Sequence, residues 1–104
     1  MDYTNYAREI IRSATFDAWL SDLRVRQARS RIAARIDRLS LGNPGDVKPV
    51  GSGVSEMRVV YGPGYRVYFF QHASMIVVIL CGGDKRTQAA DIKRAIQIVE
   101  DWKE

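Results

Sequence analysis

Ser55-Glu56-Met57-Arg58-Val59-Val60-Tyr61-Gly62-Pro63-Gly64-Tyr65-Arg66-Val67-Tyr68-Phe69-Phe70 is the segment from which the architecture follows. Two runs rich in β-branched and aromatic residues flank a Gly-Pro-Gly turn, the pattern of a β-hairpin. A loop of three residues, Gly62 to Gly64, with Gly64 at positive φ, pairs position 58 with 68, 60 with 66 and 56 with 70. Because side chains alternate with a period of two, one face then carries Met57, Val59, Tyr61, Tyr65, Val67 and Phe69. The other carries Glu56, Arg58, Val60, Arg66, Tyr68 and Phe70. A loop one residue shorter would scatter charge over both faces.

Downstream, Gln71-His72-Ala73-Ser74 turns the chain into Met75–Cys81, a run apolar at both parities. That is the signature of a strand covered on two sides. It stops at Gly82-Gly83-Asp84-Lys85-Arg86, and a helix is expected from Thr87 or Gln88, burying Ala89, Ile92, Ala95, Ile96, Val99 and Trp102. Upstream, Phe16, Trp19, Leu20 and Leu23 fall at helical spacing, with Ser13 or Thr15 as N-cap. A second helix follows, with Val25, Ala28, Ile32, Ile36 and Leu39 as its apolar stripe and Gly42 as a left-handed cap. Residues 6–12 read as a short strand or an irregular lead-in, and Gly42–Gly53 as a long loop. The sum is an α+β fold, with an N-terminal helical hairpin on a three- or four-stranded, mainly antiparallel sheet and a C-terminal helix.

The 104 residues suit one domain, 1–104, with a single core. A composition of 46% hydrophobic and 27% charged residues is that of a folded globule rather than a disordered chain. The longest apolar run is too short to cross a bilayer and the N-terminus lacks a signal-peptide pattern, so a cytoplasmic location is expected. A single cysteine, Cys81, excludes an internal disulfide, and with one histidine, His72, no metal site or other cofactor is expected.

The net charge of +4 points to an acidic partner, and its placement says more. Glu56, Arg58, Arg66 and Tyr68 share a sheet face. Two guanidiniums on neighbouring strands, projecting into a shared pocket, can clamp a phosphate, while Tyr68 stacks on a base or holds an oxygen. Glu56 either accepts a proton or neutralises Arg58. The plainer reading is a solvated face with cross-strand ion pairs. Lys85 and Arg86 at a helix start suit an oxyanion, against the charge of Asp84. From Arg24 to Arg38 there are six arginines and one acid. Of these, Arg24, Arg31, Arg35 and Arg38 share a flank, either solvated or docking an acidic protein or nucleic acid.

An ordered set of short motifs runs through the chain. It comprises Phe16-x-x-Trp19-Leu20-x-x-Leu23, Gly42-Asn43-Pro44-Gly45-Asp46-x-Lys48, Glu56-x-Arg58, Gly62-x-Gly64-Tyr65-Arg66-Val67-Tyr68, Gly83-Asp84-Lys85 with Gln88, and Asp91-Ile92-x-x-Ala95. Spanning about nine-tenths of the chain, it resembles the RelE/HigB-like toxins of the RelE/ParE superfamily, and within them the addiction-module killer subgroup of type II toxin–antitoxin systems.

The resemblance implies a bacterial cytoplasmic toxin of microbial-RNase-like fold, neutralised by a cognate antitoxin that is often a helix-turn-helix DNA-binding protein. It further implies metal-independent cleavage of mRNA, commonly on the ribosome, by attack of the ribose 2′-OH on the adjacent phosphate. Arg66 then matches a phosphate-contacting arginine, and Arg86 falls near a second one used for phosphate or leaving-group stabilisation. Lys48 and Lys85 are secondary RNA contacts. Glu56 stands where RelE carries a lysine, Ala89-Ala90-Asp91 lacks RelE's tyrosine, and His72 is the sole stand-in for HigB-type histidines. Two other readings stay open. One is a ParE-like toxin that binds DNA gyrase, and the other is a protein-interaction module built on the arginine-rich helix.

Overall fold

The computed structural model describes residues 7–103. Its elements are β1 (Glu9–Arg12), α1 (Ala14–Asp22), α2 (Arg26–Ser40), β2 (Val47–Gly51), β3 (Val54–Val59), β4 (Tyr65–His72), β5 (Ile76–Gly83) and α3 (Gln88–Lys103). A single 3-10 turn, Lys85–Thr87, leads into α3. The five strands form one mixed sheet in the order β1-β5-β4-β3-β2. β1 runs parallel to β5, and the other neighbours are antiparallel.

The class is α+β, as expected, with five strands in place of three or four. β1 is the strand alternative of residues 6–12, pairing Glu9 with Ile76 and Arg12 with Ile79. The unexpected strand is β2, inside the segment expected to be a loop, where Val47 pairs with Met57 and Lys48 with Glu56. Its Pro49 is tolerated because β2 lies at the edge of the sheet, where one side needs no ladder donor.

The start of α1 and the end of α2 each have a local cause. The Ser13 hydroxyl accepts from the Phe16 N–H at 2.9 Å to cap α1, and itself donates to the Leu80 carbonyl at 2.5 Å. α2 ends in a Schellman turn. The Asn43 N–H reaches the Arg38 carbonyl at 2.9 Å and the Gly42 N–H reaches Leu39 at 3.0 Å, with Gly42 at φ +88°.

The sheet has two apolar faces and hence two layers of helix. Met57, Val59, Tyr65, Val67, Phe69, Val77 and Ile79 pack with Phe16 and with Ala28, Ile32, Ile36 and Leu39 of α2. On the reverse, Val54, Tyr68, Phe70, Val78, Leu80 and Cys81 pack with Ala95 and Val99 of α3. β5 lies between both layers, which accounts for its apolar residues at both parities. A bulge pairs Tyr68 with Cys81 but Phe69 with Ile79. Leu80 and Cys81 consequently both turn toward α3. Val25, expected in the stripe of α2, is instead its exposed N-cap, and Ala89 is also exposed.

The hairpin keeps its expected faces but shifts its register by two. Val59 pairs with Tyr65, Arg58 with Arg66 and Glu56 with Tyr68, so the loop runs over Val60–Gly64. The Gly64 N–H closes it on the Tyr61 carbonyl at 3.1 Å, with Gly62 at φ +55° and Gly64 at φ +82°. Both loop lengths are odd, so the parity of every side chain survives.

Candidate functional site

Cross-strand pairing builds two adjacent rows on the α3 side of the sheet. One runs Lys48, Glu56, Tyr68, Cys81, and the next runs Arg58, Arg66, Gly83. The N-terminal end of α3 lies over them. A Cβ on Gly83 would sit 1.8 Å from Asp91 Oδ2, while one on Gly82 would sit 2.4 Å from the Trp19 ring on the opposite face. These glycines admit helices to the sheet; they are not a phosphate loop.

Glu56 is completely buried and is the hub of the site. Its Oε2 accepts from the Tyr68 hydroxyl at 3.0 Å and from Gln88 Nε2 at 2.7 Å, and lies 3.5 Å from Arg66 Nε. Burial first, and then the bond to Glu56, push the Tyr68 hydroxyl well above the ordinary phenol range. Glu56 Oε1 has no protein partner among the described residues. Tyr68, enclosed in this way, cannot stack on a base.

Arg66 is held at both sides, with Nη1 donating to the Gly64 carbonyl at 2.8 Å and its side chain only 11% exposed. A Cβ on Gly64 would lie 3.4 Å from that nitrogen and 3.7 Å from Lys85 Cβ, so the hairpin tip brings Arg66 and Lys85 close together. Arg58 faces Arg66 across the ladder and is more open, pairing through Nη2 with Asp46 Oδ1 at 3.1 Å. The two guanidiniums share a face, as expected, but not an enclosed pocket; each has its own carboxylate.

Asp46 is fixed from the far side of the sheet. Its carbonyl accepts from the Arg58 N–H at 3.0 Å. Arg35 of α2 donates Nη2 to the Pro44 carbonyl at 3.0 Å and Nη1 to the Arg58 carbonyl. Burial, and then the neighbouring charge of Arg38, lower the Arg35 pKa.

The α3 entry differs from expectation. The Asp84 carboxylate itself takes the Arg86 N–H at 2.9 Å, and Asp84 N–H reaches Thr87 Oγ1 at 3.3 Å. Against the opposing effect of burial, the bonds to Arg86 hold the Asp84 carboxyl below the usual carboxylate range. The protein's own carboxylate therefore fills the place of an external oxyanion. Arg86 remains 83% exposed, with Nη2 3.4 Å from Asp84 Oδ2. Lys48, on edge strand β2, is exposed.

Other expected groups lie elsewhere. His72 ends β4, about 20 Å along the strand from Arg66, with its ring 4.6 Å from that of Trp102. Arg24 precedes α2, whereas Arg31, Arg35 and Arg38 line a groove of about 230 Å³ against Val59 and Val60, on the hairpin side of the sheet. Among the described residues no cluster of three or more potential ligands could hold a metal ion, and no helix is long and apolar enough to cross a membrane. Sequence reasoning gave no role to Asp46, Gln88 or the Arg35 strut, although Asp46 and Gln88 both stand within the ordered motifs.

Residues 18–103 match the family described as "Phage derived protein Gp49-like (DUF891)". A protein of Haemophilus influenzae (strain ATCC 51907 / DSM 11121 / KW20 / Rd), described only as uncharacterized, is 46% identical over 93 residues, covering 89% of this chain and 94% of its own. The Gp49-like family is associated with toxins of addiction modules, each of which has a cognate antitoxin. With four-fifths of its length matched and a near-full-length relative, this chain belongs to the Gp49-like family of phage-derived proteins.

Proposed function

We propose that the chain is the toxin of a type II toxin–antitoxin pair, of the RelE/HigB kind, and that it arrests growth by cutting mRNA in the bacterial cytoplasm. The supporting observation is the cationic corner in which Arg66, braced by Glu56 and Gly64, faces Arg58 beside Lys85. Attack of a 2′-OH, its proton passing to water, on the neighbouring phosphate forms a cyclic ester and expels the 5′ oxygen, which takes a proton from water; in between, negative charge concentrates on the phosphoryl oxygens. Guanidiniums fixed before the reaction stabilise that charge without a further cost of reorganisation.

Arg66, with one η-nitrogen uncommitted among the described residues, contacts the phosphate; Arg58, Lys85 and Arg86 add charge around it. Lys48 extends the track along β2. Glu56 acts through Arg66, as its anchor. The test is mRNA cleavage after induction, by primer extension, with and without translating ribosomes. Cleavage that Arg66→Lys abolishes supports the reading; growth arrest with intact mRNA overturns it.

One observation favours a second reading, a ParE-like inhibitor of DNA gyrase that performs no cleavage. Glu56 is sealed, the Tyr68 hydroxyl is locked in its proton, and His72 is far away. A site rich in cations but poor in accessible proton carriers is suited to binding. Inhibition of supercoiling by the purified protein would establish that alternative.

A further inference from the structure

The groove between α2 and the β3–β4 hairpin touches the corner described above only through Arg35, whose guanidinium reaches the Pro44 and Arg58 carbonyls. It lies on the opposite side of the sheet, lined by Arg31, Ala34, Arg35, Arg38, Val59 and Val60. Among the described residues none of its three arginines is in an ion pair. Arg35 spends both η-nitrogens on backbone carbonyls, so its charge is not neutralised. At the rim, Val60 is 85% exposed, an unusual position for an isopropyl group beside three guanidiniums.

Cations alone would suit a phosphate chain equally well, and the rest of the lining decides between the two. A single-stranded nucleic acid needs open aromatic faces for its bases. The one ring at this edge, Tyr61, is already covered by the Arg31 guanidinium at 4.7 Å, and its hydroxyl is bonded to Gln27 at 2.6 Å. What remains open is aliphatic: Val60, part of Ala34 and the stems of Arg31 and Arg38. Carboxylates beside an aliphatic side chain complement such a surface in both charge and polarity.

We propose that this groove docks an acidic, aliphatic peptide segment of a partner protein, its carboxylates on Arg31 and Arg38 and an apolar side chain on Val60. The proposal stands independently of the nuclease reading, because Arg35, the side chain that links groove and corner, is left unchanged in every variant that tests it.

The probe is a fluorescein-labelled hexapeptide of alternating glutamate and leucine, titrated with the full chain at low salt and followed by anisotropy. A glutamine-for-glutamate peptide and a labelled uridine decamer serve as comparisons. The acidic peptide is expected to bind, and Arg31→Glu with Arg38→Glu to weaken it by tenfold or more, Val60→Ser by a few-fold. The neutral peptide should also bind at least tenfold more weakly, while Arg86→Ala leaves acidic-peptide binding unchanged. Arg31 and Arg38 are exposed, so the reversed variant should keep its melting curve, checked by circular dichroism. Failure of the wild-type chain to bind the acidic peptide, equal binding by the reversed variant, or loss of uridine binding in place of peptide binding overturns the proposal.

Discussion

Arg58 and Arg66 stand directly opposite each other across β3 and β4, and each meets a different carboxylate, Asp46 for Arg58 and Glu56 for Arg66. Like charges directly opposed in a sheet are destabilising. The two acids offset that repulsion while the guanidiniums stay side by side. They are unequal in kind, since Asp46 is half-exposed and Glu56 fully buried. The two arginines should therefore respond differently to mutation.

Removing Arg66 leaves a buried carboxylate short of its cation. Arg66→Ala is expected to lower stability by about 1–3 kcal/mol, the cost of an undersatisfied buried polar group. The double variant Arg66→Ala with Glu56→Gln should recover much of that loss in urea denaturation, yet remain non-toxic on induction. Toxicity returning with stability would assign Arg66 a purely structural role.

At the exposed pair the stability change should be small. Asp46→Asn is expected to cost under about 1 kcal/mol. By freeing the Arg58 guanidinium, it should tighten binding of a uridine oligonucleotide several-fold in an anisotropy titration. Weaker binding would mean that Asp46 orients Arg58 for the ligand instead of competing with it.

Gly83 is fixed by packing, since its Cβ would overlap Asp91 and Thr87. Gly83→Ala should destabilise the protein by about 1–3 kcal/mol, the usual cost of overpacking. The urea midpoint measures it. The combination with Asp91→Ala should give back part of the loss, as that is the nearest obstructing side chain.

Burial, aided by the charge of Asp91, pushes the Cys81 thiol up to about 12 from 9.0. A group whose folded pKa is raised contributes stability that is complete below its unfolded pKa and is lost as pH rises toward the folded one. The wild type should thus lose stability relative to Cys81→Ala as pH rises above 9 toward 12. At pH 8 a thiol reagent should label Cys81 only at the rate of unfolding; rapid labelling of the native protein would contradict its burial.

The sequence reveals faces better than partners. Alternation along 54–70 places Glu56, Arg58, Arg66 and Tyr68 on one side whichever odd loop closes the hairpin, so the grouping survives an error of two in register. The apolar run of β5 and the stripe of α2 are likewise visible because deep burial demands apolar residues at a fixed period. β1 reads as only one of two alternatives and β2 escapes, because edge strands need apolar residues on few positions, and two prolines with four glycines over 42–53 look like loop chemistry. The enclosure of Glu56 escapes for another reason. It depends on Gln88 arriving from a helix 32 positions away, a tertiary contact that no local spacing encodes.

The parallel alignment of β1 with β5 bears on how the chain assembles. β3, β4 and β5 form a meander of sequence neighbours, able to zip by short-range steps. β1 must await the synthesis of β5, with Ser13 and Leu80 separated by 67 positions. Closing so wide an interval costs more entropy than closing the hairpin, and topologies of that sort fold slowly. The meander should therefore nucleate the domain, and docking of β1 with the helices behind it should follow as a later kinetic event.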